Sequence, residues 1–149
     1  MSTKAQKDPS RVRNLTVGDE TAKFVSHVGG ADVFVTDDGL FIAVRPSNQE
    51  VLREYLTAMS AVMAELQPNQ RHGLLVWRGE DTHFAPEAIT YLFKEIHKRF
   101  FGLAILAPSS AAHTAASFEA KLFRRTPFST FRDPELALDW LRDLRKAHP

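Results

Sequence analysis

Two short runs of unbroken apolar residues, GLLVW at 73–77 and FGLAIL at 101–106, are each followed by an amphipathic helical pattern. No other feature constrains the fold as much. A strand without polar alternation suits a central position, covered on both faces. Helices that separate such strands imply right-handed crossovers and parallel pairing. The 149 residues suffice for one compact domain and are too few for two of ordinary size.

The first part of the chain reads differently. KFVSHV (23–28), DVFVT (32–36) and LFIAVR (40–45) are strand-like, and Asp37-Asp38-Gly39 between the last two is a hairpin turn signal. Gly29-Gly30 is a turn. The domain is therefore expected to open with an antiparallel meander. Residues 1–20 have few apolar side chains and no period, so they are read as a mobile tail, although Leu15 and Val17 can add a short edge strand. Residues 21–149 form the domain.

Four helices are expected. Ser47 and Glu50 fit a capping box, and Leu52, Tyr55, Leu56, Met59, Val62, Met63 and Leu66 then form one stripe up to Pro68. Pro86 opens a second helix with Ala88, Ile89, Leu92, Phe93 and Ile96 inward. Ser109 or Ser110 caps a third, running to Phe123. After a short strand at 128–131, Asp133-Pro134-Glu135 starts a fourth, with Ala137, Leu138, Trp140, Leu141 and Leu144 as its stripe. The fold class is α/β: a mixed sheet with an antiparallel opening and about four helices.

Composition removes several functions. The 19 Lys and Arg nearly balance the 18 Asp and Glu, which argues against a dedicated nucleic-acid binder. The absence of cysteine excludes disulfides, thiol catalysis and Cys-type zinc sites. No apolar run approaches the ~20 residues of a membrane helix, and the polar N-terminus lacks a signal-peptide core. A cytoplasmic location is expected. There is no Gly-x-Ser-x-Gly elbow, phosphate loop or His-Glu-x-x-His, so the chain is expected to be non-enzymatic, with no cofactor and no metal.

Candidate binding residues fall in two groups. Arg78, Glu80, Asp81, Thr82, His83, Phe84 and Glu87 combine charge with an apolar anchor around the second helix start, as protein interfaces do. Lys98, Arg99, Lys121, Arg124 and Arg125 carry most of the basic excess of the C-terminal part and offer a surface to an anionic ligand or lipid head, or else offset helix dipoles. Of the six histidines, His83 stands four residues from Glu87, and His113 lies near the third helix start; neither belongs to a visible ligand set. Ser109 and Ser110 either cap a helix or present amides to an anion. Trp77, Phe84, Phe100 and Phe101 are core residues or cavity lining.

The hairpin VFVTDDGLFIAV, the first helix, GLLVW, the Pro86-Glu87-Ala88 helix start, LAIL and the ending TPFSTFRDPELALDWL together resemble the STAS/SpoIIAA-like family over about residues 22–145. The likeness is to small stand-alone bacterial members. It implies a regulatory module that binds another protein or itself, with the loop and helix start after the central strand facing the partner. Members controlled by phosphorylation carry Asp-Ser-[Ser/Thr]-Gly there. This chain has Ala85, Pro86 and Glu87 instead, which implies binding without a Ser switch. Related Sec14-type folds bind lipids. By that analogy the alternative is a carrier of a small apolar or lipid ligand, held between the sheet and the second and third helices.

Overall fold

A computed structural model of the chain describes residues 14–121 and 125–147. The strands are β1 (Leu15–Val17), β2 (Glu20–Val28), β3 (Ala31–Val35), β4 (Phe41–Val44), β5 (Glu50–Val51), β6 (His72–Trp77), β7 (His83–Phe84), β8 (Phe100–Leu106) and β9 (Phe128–Phe131). The helices are α1 (Arg53–Leu66), α2 (Pro86–Arg99), α3 (Ser110–Ala120) and α4 (Pro134–Ala147).

Seven strands form one sheet in the order β1-β2-β3-β4-β6-β8-β9. The first three pairings are antiparallel, and those of β4 with β6, β6 with β8 and β8 with β9 are parallel. The expected mixed sheet is thus present. Alternation along the strands divides the core. Phe41, Ala43, Leu74 and Leu103 face a layer with Met59 and Met63 of α1 and Leu92 and Ile96 of α2. Leu40, Ile42, Leu75, Ala104 and Leu106 face Ala137, Leu138 and Leu141 of α4. Gly102 lets α4 approach, since a Cβ there would stand 2.6 Å from Leu144 Cδ1.

Several boundaries move. Residues 15–20, read as the end of a tail with an optional edge strand at Leu15 and Val17, belong to the sheet region: Leu15 pairs with Ala22, and Val17 is buried in the α4-side core, while residues 1–13 lie outside the described residues. The cluster that takes in Val17 combines Ala22 and Phe34 with Ala137, Leu138 and Leu141 of α4, remote in sequence. The capping box at Ser47 and Glu50 is absent. Ser47 Oγ accepts from the Glu80 amide at 3.1 Å, and Glu50–Val51 pairs in parallel with His83–Phe84. That pairing holds 50–51 extended, so α1 starts at Arg53 without a side-chain cap. Phe93, placed on the inward stripe, is 48% exposed, and Leu66 is exposed at the end of α1. Trp140 is half-buried against Phe131, with ring centroids 5.6 Å apart, while Leu138 and Leu141 take the buried positions. The expected end of α3 at Phe123 falls beyond the described part of that helix.

The other helix starts agree with their sequence signals. Ser109 Oγ accepts from the Ala112 amide at 3.1 Å, and Asp133 Oδ1 from the Glu135 amide at 2.8 Å. Pro86 sits in the first turn of α2.

Candidate functional site

The parallel strands β4 and β6 end side by side. Val44 pairs with Trp77, and the Arg45 amide continues the ladder to the Trp77 carbonyl at 3.0 Å. Arg45 and Arg78 are therefore neighbours at the C-terminal ends of two adjacent strands, where open α/β sheets place their ligands. Both continue the alternation of Phe41 and Ala43, and of Leu74 and Val76, onto the α1/α2 face. Gly79 permits this close passage: a Cβ there would lie 2.5 Å from the Pro46 carbonyl group and 2.6 Å from the Ser47 nitrogen.

On that face lies an apolar cavity of about 80 Å³. Met59 and Met63 of α1, Leu92 and Ile96 of α2, Val76 and Ile105 of the sheet, and Phe84 and Phe128 contribute to its wall. Its charged lining consists of Arg45, Arg78 and Arg99 against Glu95 and Glu119. Arg78 and Glu119 form an ion pair through Nη1, with side chains 7% and 18% exposed. Arg78 Nη2 donates to the Thr82 carbonyl at 2.6 Å. Arg99 pairs with Glu95 at 3.3 Å, while its Nε is buried and has no hydrogen-bond partner among the described residues. Arg45 is 6% exposed and donates from Nη1 to the Gly29 carbonyl (2.9 Å) and to Gln49 Oε1 (3.1 Å). Burial pushes its pKa down to about 10. Tyr55 acts weakly in the opposite direction.

The expected partner-facing group divides. Glu80, Asp81, His83 and Glu87 are wholly or partly exposed around the β6–α2 loop. Arg78 and Thr82 are buried and are not surface residues, because the ion pair to α3 and the Thr82 carbonyl draw the loop inward. Phe84 is half-buried and contributes to the lining of the cavity. A second, more polar cleft of about 320 Å³ lies between this loop and Ala111, Ala112 and Ala115 of α3. Asp81 beside it holds a left-handed φ of 49°. Glu80 accepts from Ser109 Oγ at 2.8 Å, tying the loop to the α3 start.

The basic group is also rearranged. Lys98 and Arg99 share Glu95, at 3.7 and 3.3 Å, so part of their charge is neutralised within α2. Lys121 and Arg125 are exposed, and Arg124 lies outside the described residues. His97 is pushed below its ordinary pKa by desolvation and then by the charges of Arg125 and Lys98, with Glu95 opposing. The cavity is lined by the sheet, α1 and α2, with Glu119 the one α3 residue in its lining among the described residues, and so does not lie between α2 and α3. Helix α1 covers the face because β5 and β7 clamp its entry. Trp77 and Phe101 belong to the opposite core.

The histidines do not converge. His27 pairs with Asp32 at 2.8 Å and His83 with Glu50 at 3.6 Å. His72 is packed between Phe41 and Phe100, and burial lowers its pKa. His148 lies outside the described residues. Among the described residues no three His, Cys, Asp or Glu side chains are grouped to hold a metal, and no helix is long and apolar enough to cross a membrane.

No family model matches the chain, and no curated protein matches it. Among solved structures, its fold is similar to that of an uncharacterised protein of the DUF3478 family from Shewanella loihica, described as having a SpoIIAA-like fold. The TM-score is 0.52 with 19% identity over 78% of this chain and 98% of that one. The architecture defines an α/β domain with a mixed sheet. The similarity gives that domain a SpoIIAA-like fold.

Proposed function

We propose that this chain is a non-enzymatic binding protein whose ligand is a small apolar molecule held between the sheet and α1/α2. The observation that carries the reading is the cavity itself: a wall of aliphatic and methionine side chains along one face of the sheet, with Arg45 and Arg78 at the C-terminal ends of two of its strands. At about 80 Å³ it is smaller than the ~150 Å³ cavity known to take up benzene. A ligand therefore enters as its lining gives way. Met59 and Met63, unbranched and adaptable, are suited to that. Such a protein is a carrier, and its ligand lies against α1 and α2 where the Sec14-type analogy implied α2 and α3. Native mass spectrometry of freshly purified protein tests it. A co-purified apolar mass that Met63→Trp abolishes supports the reading. Bare protein that also leaves added apolar compounds unbound contradicts it.

The second reading is a regulatory protein-binding module, with the exposed Glu80, Asp81, His83 and Glu87 at the polar cleft as its contact surface. The favouring observation is the cleft of about 320 Å³ beside the left-handed Asp81. In this reading binding is constitutive. Glu87 supplies a fixed charge at the first turn of α2, and Thr82, the hydroxyl preceding it, is buried and donates to the Gly79 carbonyl at 3.3 Å. Glu87→Lys that weakens capture of a partner supports this reading. Unaltered capture removes the loop from the interface.

A further inference from the structure

The charged lining of the apolar cavity is unbalanced. Of its three arginines, Arg99 is paired with Glu95 and Arg78 with Glu119, whereas Arg45 has no acidic partner among the described residues. It is more than nine-tenths buried, yet only Nη1 is engaged, by an uncharged carbonyl and an amide oxygen. Those two bonds steady the Gly29-Gly30 turn, and neither requires a cation. A buried guanidinium without a counter-charge is costly. Its neighbour in register, Arg78, repeats the arrangement with one difference: a carboxylate from another helix occupies it. Resting on the pocket reading above, we infer that Arg45 and Arg78 form the head-group site of that pocket, and that the ligand is an aliphatic molecule ending in a carboxylate. Glu119 then stands in the empty protein where part of that carboxylate's field acts in the complex. The fork geometry of arginine suits a carboxylate, and the low-dielectric wall strengthens the pairing. The methionine and leucine wall takes the chain.

Calorimetric titration of the full chain with hexanoate and with hexanol, equal in chain length, tests the head group separately from the pocket. Hexanoate is expected to bind about tenfold tighter or more, the scale of a charge-assisted hydrogen bond. Arg45→Met erases the difference while hexanol binding persists. Glu119→Gln, which removes the internal competitor, tightens hexanoate and leaves hexanol unchanged. Equal affinity of the two compounds for the unsubstituted protein overturns the head-group site and leaves the pocket standing. A preference for hexanoate that survives Arg45→Met also overturns it. Failure of both compounds to bind overturns the pocket and the head group together. If Arg45→Met does not fold, Glu119→Gln decides: unchanged hexanoate binding there overturns the inference.

Discussion

Arg142 on α4 grips Asp38 at the β3–β4 turn, with Nε 2.8 Å from Oδ2 and Nη2 3.2 Å from Oδ1. Arg142 Nη2 also reaches Glu20 at 2.8 Å, and Arg145 adds a bond to Asp38 Oδ2 at 2.6 Å. The last helix is thus fastened to the opening meander, more than 100 residues earlier in the chain.

This contact sets an acid limit. The hydrogen bond from Arg142, aided by Thr36 and Arg145 and opposed by burial, holds the Asp38 carboxyl well below the usual carboxylate range. A folded-state pKa below the unfolded value stabilises the protein above the unfolded pKa, about 3.9, and that contribution disappears as pH falls below it. Because the Asp38 side chain is 40% exposed, solvent screens the pair and Asp38→Asn costs about 1 kcal/mol at neutral pH. Urea denaturation from pH 7 downward measures it. The gap between the two proteins narrows below about pH 4; a gap that widens there contradicts the assignment.

Trp140 and Leu141 adjoin on α4 but are buried differently. Trp140 is half-exposed beside Phe131, and Leu141 is fully buried. Leu141→Ala therefore costs about 3 kcal/mol and Trp140→Ala about 1–2 kcal/mol. Equilibrium unfolding ranks the two, and the reverse order contradicts this docking of α4.

The Arg78–Glu119 pair links the cavity rim to α3. Removing either partner strands a largely buried charge, so the pair is strongly coupled. In a double-mutant cycle, Arg78→Met and Glu119→Gln show a coupling of about 1 kcal/mol or more. Additive effects would show that the two side chains do not meet in solution.

Much of the fold was legible because its signals are local. The Asp37-Asp38-Gly39 turn, Pro86 and Asp133-Pro134 each fix backbone geometry over a few residues, and the unbroken runs in β6 and β8 mark central strands. Ser47 and Glu50 misled because a capping box and a short extended pairing use the same polar residues; only β7, more than 30 residues away, decides between them. The site was less legible. Arg78 reads as a loop charge until α3 brings Glu119 to it. Arg45 passes as the polar end of a strand. One local signal existed: Phe41-x-Ala43-x-Arg45 and Leu74-x-Val76-x-Arg78 keep a strict two-residue period, so both arginines point to the face of their apolar predecessors. That the strands are adjacent and parallel, and that this face holds a cavity, depends on tertiary packing.

Under the proposed function, the space bounded by Met59 and Met63 receives a ligand. Methionine-methyl NMR reports on that space, with both signals assigned through Met59→Leu and Met63→Leu. On titration with hexanol, both methyl resonances are expected to shift along saturable curves with one shared dissociation constant. Resonances that stay in place, or drift linearly without saturation, would contradict it.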